Sequence, residues 1–374
     1  MKRSRVAAIV ALLAGATGIA CNVLLGNEDG VFVRDGVIDA ATTTPDGTTT
    51  SDGEVESDGG TIVDAPFENR ECDARPNDDP KNCGSCGHDC LGGDCRTGKC
   101  LPVVMTEDAG AALSQRMAMS DEGIYIIGGG TLHRVGLDGG GASTLYTPAA
   151  SSVLSDLAAS PTKIVFAQSF GSAPSIRSCP LGACPDAAVE STSIVNPHAL
   201  SLVGERPFWG DLSSMYASTS DPLAPEVFQA EDITATVGSP TRIYWGRTND
   251  STLRSALPDG GDVATLALDS GSIVQFAVRP DVLVWVASGA LYTATPDGGS
   301  PRRLALLSGG TARVGLAGDD IYWLESTTGV LRRCSVAGSC AGEVVSLKPT
   351  ADFAITQRAI WWVEQGGRLL RLAR

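Results

Sequence analysis

Seven short segments of this chain carry one pattern, and that pattern restricts the fold more than any other feature. They are "GIYIIG" (123–128), "KIVFAQ" (163–168), "RPFWGD" (206–211), "RIYWGR" (242–247), "VLVWVA" (282–287), "DIYWLE" (320–325) and "AIWWVE" (359–364). Aligned, they place Ile126, Phe166, Trp209, Trp245, Trp285, Trp323 and Trp362 at one position, at intervals of 40, 43, 36, 40, 38 and 39 residues. All six tryptophans of the chain lie in this one strand. A regular period near forty residues marks an array of small supersecondary units, none of which can bury its apolar face alone.

The order inside each unit repeats as well. A small-apolar strand ("ITATVG", "ARVGLAG") precedes the aromatic strand, and a strand bearing Arg follows it ("TLRSALPDGG", "VLRRCSVAGSC"). A last strand ("DVATLAL", "GEVVSLK") closes the unit. Alternation and Asp-Gly turns read as antiparallel hairpins. Apart from the N-terminal segment, no stretch has a sustained helical period. The fold class is therefore all-β, a seven-bladed β-propeller over 101–374. A six-bladed ring is the alternative, because the second and third units match least well. The seventh unit ends one strand short, and "KCLPVVMTED" (99–108) resembles the missing outer strand. Pairing the two ends would close the ring without an open seam.

Two units replace the Asp-Gly turn with "CPLGAC" and "CSVAGSC", so Cys179 with Cys184 and Cys334 with Cys340 read as staples across a hairpin. Closing so short a loop contributes about 2 kcal/mol before any strain.

The segment before the repeats has three parts. Residues 1–20 read as a signal peptide, with basic "MKRSR" followed by the apolar run "VAAIVALLAGATGIA". "TGIAC" resembles the lipobox of bacterial lipoproteins, with Gly18 where Leu is usual, and the resemblance implies lipidation of Cys21. Asn22 follows Cys21 in place of the Asp of the best-known inner-membrane retention rule, which points to the outer membrane. Residues 27–71 carry twelve acids against Arg34 and Arg70, with few large apolar side chains, so 21–71 reads as a lipidated, disordered tether.

Residues 72–100 hold Cys72, Cys83, Cys86, Cys90, Cys95 and Cys100. Fewer than thirty residues cannot build a hydrophobic core, and an exported chain meets oxidising conditions, so these read as three disulfides of open connectivity. Cys83 and Cys86 form a C-x-x-C, but a zinc site would need a second such pair or a His pair, and only His88 is near. The chain has eleven cysteines, and the odd one is the one the lipobox claims.

The "IYW … LRR … DGG" unit, clearest in 241–261 and 319–334, resembles the YWTD-type propeller blade, with Gly246-Arg247 and Leu324-Glu325 where that motif has Thr-Asp. "CNVLLGNEDG", the acidic tether and "NCGSCGHDC" resemble myxobacterial cell-envelope lipoproteins, which implies location and build.

Chemistry-bearing motifs are sparse. His88, His133 and His198 are isolated from one another, and there is no G-x-S-x-G elbow, phosphate loop or dinucleotide fingerprint. No catalytic, metal or cofactor residue is assigned. Turn chemistry accounts for Asp138, Asp259 and Asp297 of the "DGG" turns. The recurrent Arg134, Arg177, Arg254 and Arg332 read as solvated strand faces, and the aromatics as core. A net charge of −15 with no basic stripe argues against nucleic-acid binding. The expected function is a lipid-anchored, monomeric envelope propeller that binds a protein or glycan. The alternative is a hydrolase or lyase acting on envelope or extracellular polysaccharide. Replacing Cys21→Ser should release the exported protein from the membrane fraction; a variant that still sediments with membranes would end the anchor hypothesis.

Overall fold

A computed structural model describes residues 77–110, 114–149, 152–169, 174–192, 196–211, 213–229, 233–247, 252–267, 271–338 and 340–374. The expected signal segment, Cys21, the tether and Cys72 lie outside the described residues.

Residues from 103 onward form seven four-stranded antiparallel sheets, and no described residue is helical. The fourth unit shows the plan. Ile233–Gly238 is innermost, followed outward by Ile243–Arg247, Thr252–Ala256 and Ala264–Ala267. The innermost strand of each sheet neighbours that of the next. Ser114–Ser120 of blade I also neighbours Thr350–Ile355 of blade VII, so the ring is closed. Blade VII combines Thr350–Ile355, Ala359–Glu364 and Leu369–Ala373 with Val103–Thr106 from the other end of the chain. The count is seven, and the six-bladed alternative is excluded.

The aromatic strand is second from the axis in every blade. Ile126, Phe166, Trp209, Trp245, Trp285, Trp323 and Trp362 are all buried, none more than 3% exposed. Their partners give the reason for the repeat. Phe166 packs with Ala118, Tyr125 and Ile127 of blade I, Trp209 with Val165 and Ile176 of blade II, and Trp245 with Phe208 and Phe228 of blade III. Trp285 meets Tyr244 and Leu253 of blade IV, and Trp323 meets Val284 and Leu291 of blade V. These five large side chains therefore fill the joint with the preceding blade, and the sheets approach closely enough to need small partners. A Cβ on Gly238 would lie 1.8 Å from the Leu202 carbonyl oxygen, which explains why "ITATVG" ends in glycine.

The turn between the third and outermost strands has two designs at one location. In blades I, IV and V the side chains of Asp138, Asp259 and Asp297 accept the N–H of Gly140, Gly261 and Gly299 at 2.9, 2.9 and 3.1 Å. Gly139, Gly260 and Gly298 take positive φ of 84–85° between them. Blades II and VI carry Cys179–Cys184 and Cys334–Cys340 disulfides there instead. In three blades the turn also accepts a side chain from the preceding blade. Tyr125 donates to Leu181 O at 3.1 Å, Arg206 to Pro258 O at 2.5 Å and Arg302 to Val336 O at 2.7 Å.

The small N-terminal unit is built on two crossing disulfides, Cys83–Cys95 and Cys90–Cys100, around a two-stranded sheet of Cys95–Arg96 and Lys99–Cys100. Cys83, Cys90 and Cys95 form its buried centre, which matches a chain segment too short for an apolar core. Cys86 is exposed and bonded to none of the described residues.

Trp245→Ala should cost about 3–5 kcal/mol, because it empties the joint between blades III and IV and that gap cannot collapse without moving two sheets. Urea unfolding measures this, and a loss below about 1 kcal/mol would contradict the packing role.

Candidate functional site

Active and binding sites of ring folds sit along the axis, so the innermost strands are the first place to look. All seven carry a β-bulge at one level, between Ser114 and Arg116, Leu154 and Asp156, His198 and Ser201, Ile233 and Ala235, Ile273 and Gln275, Thr311 and Arg313, and Thr350 and Asp352. A bulge bends its strand and re-aims the neighbouring side chains. The residue ten positions before each aromatic is the one so placed: Arg116, Asp156, Ala199, Ala235, Gln275, Arg313 and Asp352.

Four of these are ionisable and lie on consecutive blades, Arg313 on VI, Asp352 on VII, Arg116 on I and Asp156 on II. Asp156, Arg313 and Asp352 are buried, and the Arg116 side chain is 18% exposed. Arg313 Nη1 pairs with Asp352 Oδ2, and Arg116 Nε lies 3.4 Å from Asp156 Oδ1. Toward the backbone the two aspartates use their oxygens alike. Oδ1 accepts the next residue's own N–H, Leu157 at 3.0 Å and Phe353 at 2.9 Å. Oδ2 accepts an N–H from the following blade, Leu200 at 2.8 Å and Met117 at 2.7 Å. Burial pushes the Asp156 carboxyl up, opposed by the Arg116 charge, the two backbone N–H donors and Arg313.

Neutral groups bridge joints II–III, III–IV and IV–V at this level. Thr236 Oγ1 donates to Ala199 O, Thr234 Oγ1 to Ile273 O at 3.0 Å and Ser155 Oγ to Pro197 O at 3.2 Å. The arrangement is chemically closed: two cations and two anions balance, and each carboxylate already accepts several donors.

A second carboxylate cluster caps a loop. Glu325, at the end of Asp320–Glu325, accepts from Thr328 at 2.6 Å, Arg332 at 2.7 Å and Ser308 at 3.2 Å. Burial alone would raise its pKa. The hydrogen bonds from Thr328 and Arg332, the Arg332 charge and the Ser308 hydroxyl outweigh burial and hold it below the ordinary carboxylate range.

Each of the three histidines is held by hydrogen bonds of its own. His88 Nδ1 is 2.6 Å from Cys83 O, and His198 Nε2 is 3.2 Å from Ile233 O. His133 is buried between Thr131 and Thr144, not exposed. Two of the four recurrent arginines do more than line a solvated face. Arg177 and Arg332 donate to Ala187 O and Gly342 O, the residues just before the outer strands, at 3.3 and 3.0 Å. They clamp the third strand to the turn that follows it. The sulfurs of Cys83, Cys90 and Cys100 lie within 4.8 Å of one another, but all three are in disulfides and offer no thiolate to a metal.

Sequence reading missed the charged quartet. Its signal was present as "SQRMAM", "LSDLAA", "TARVGL" and "TADFAI", where an ionisable residue interrupts an apolar strand at a constant distance from the aromatic.

No family model and no curated protein matches the chain. Solved structures share its fold. A chain of the mitotic checkpoint complex aligns with TM-score 0.56 and 9% identity, over 73% of this chain and 94% of that one. The Pan2 WD40 domain of Neurospora crassa aligns with TM-score 0.55 and 10% identity, over 74% and 94%. Virginiamycin B lyase from Staphylococcus aureus aligns with TM-score 0.53 and 13% identity, over 73% and 98%. At such identities the likeness concerns the propeller alone.

Because the Glu325 pKa is depressed in the folded state, its contribution to stability is full above the unfolded carboxylate pKa and lost as pH falls through the folded one. Chemical denaturation of Glu325→Gln from neutral to acid pH should show the variant weaker at pH 7 and converging on the parent in acid. A difference independent of pH would refute the assignment.

Proposed function

We propose that this chain is a lipid-anchored cell-envelope propeller that binds a protein or glycan through its surface loops. The observation that carries the reading is the state of the four charges on the innermost strands. Arg313, Asp352, Arg116 and Asp156 balance one another and hold neighbouring blades, so the ionisable groups nearest the axis serve the scaffold. General acid–base chemistry calls for a carboxyl within reach of a substrate, and these carboxylates point between strands. The fold by itself does not choose a role, since one neighbour belongs to a checkpoint complex and another is a lyase. Anchoring rests on the sequence of the first 21 residues and the acidic segment behind them.

The test uses the full chain carrying Cys21→Ser, immobilised and exposed to fractionated envelope protein and polysaccharide. Saturable capture of one component, without shortening of any polysaccharide, is the expected result. Polysaccharide cleavage that is abolished by Arg116→Met would overturn the binding reading in favour of an enzyme.

A further inference from the structure

Six of the seven joints in the ring join blades that follow each other in the chain, so a short connection already holds them together. At the joint between blades VII and I the chain leads into Ser114–Ser120 only from the outer strand Val103–Thr106, while the three C-terminal strands of blade VII reach blade I by non-covalent contact alone and must overcome the closure entropy of the whole ring. The quartet of charges on the innermost strands is centred on that joint. Arg313 and Asp352 stand on one side, Arg116 and Asp156 on the other, at one strand position and with alternating sign. The three remaining blades carry Gln275, Ala199 and Ala235 there, none ionisable.

We infer that the quartet is the register lock of ring closure, holding the seventh blade on the first so that the chain closes on itself with no blade omitted or borrowed. Met117 of blade I is held through both its backbone N–H and its backbone carbonyl. Its N–H donates to Asp352 Oδ2, 235 residues away in sequence, at 2.7 Å. Its carbonyl accepts Arg313 Nη1 of blade VI, 196 residues away, at 3.4 Å. The alternation excludes wrong rings. If blade I were left out, Asp352 would face Asp156, and if blade VII were left out, Arg313 would face Arg116. Buried like charges are strongly unfavourable, so both errors are penalised. The outer strand Val103–Thr106 cannot supply this discrimination. Backbone pairing to Leu369–Ala373 is equally available from a second copy of the chain.

The test is native-state hydrogen exchange on the full chain with Asp352→Asn. Amides of Ala118–Ser120 and of Ala354 and Ile355, at the joint, should exchange about 100-fold faster, while those of Ala235–Val237 on the far side keep their protection. A uniform rise in all blades, or no rise at the joint, would overturn the lock. A second variant covers the case in which the first does not fold. Arg313→Met combined with Asp352→Leu fills the space with apolar side chains and should keep thermal stability near that of the parent. If the charges set register, this variant loses protection at the joint and forms concentration-dependent dimers by light scattering. If it stays monomeric with full protection at the joint, the charges only fill space and the inference fails.

Discussion

Everything in this ring depends on a large side chain from the second strand of one blade filling the joint with the blade before it. A single four-stranded sheet here has two apolar faces and no way to cover them. Trp209, Trp245, Trp285 and Trp323 each lie against the strands of the preceding sheet, so stability is gained only when neighbours stack. That interaction explains the period, because the aromatic must return once per blade. It also leaves room only for small residues where backbones approach, as at Gly238, whose Cβ would collide with the Leu202 backbone.

Polar groups inside such a joint are costly unless they are bonded, and the chain bonds them across blades. Hydroxyls of Ser155, Thr234 and Thr236 reach backbone carbonyls of the next or preceding blade, and Asp156 and Asp352 accept the next blade's N–H. The seven bulges are what aim these side chains sideways. The outer rim has a parallel solution, in which turn carbonyls at Leu181, Pro258 and Val336 accept donors from the neighbouring blade. The joint is therefore apolar in its middle and hydrogen-bonded at both margins.

Much of this was legible before any coordinates. The aromatic alignment predicts seven units, the missing last strand predicts closure by residues near 103, and the two short Cys pairs predict hairpin staples, all present in the fold. These readings succeed because period, turn chemistry and cysteine spacing are local properties of the chain. Two arginines of the third strand have a role that this reading missed, for the opposite reason. Arg177 and Arg332 occupy positions that alternation assigns to the polar face, yet each lies along its own sheet and bonds a carbonyl ten residues on.

By itself, the sequence determined that this chain is an array of about forty-residue β units, closed end to end, behind a cysteine-rich segment. The period and the cysteine spacing follow from residues near one another along the chain, and closure follows from a last unit that lacks one strand. Only the tertiary structure decided that Arg313, Asp352, Arg116 and Asp156 belong together, and that Cys83 bonds Cys95 while Cys90 bonds Cys100. Partners 235 residues apart meet because the ring brings the last blade to the first. Linear spacing carries no information about that meeting until the closure is known.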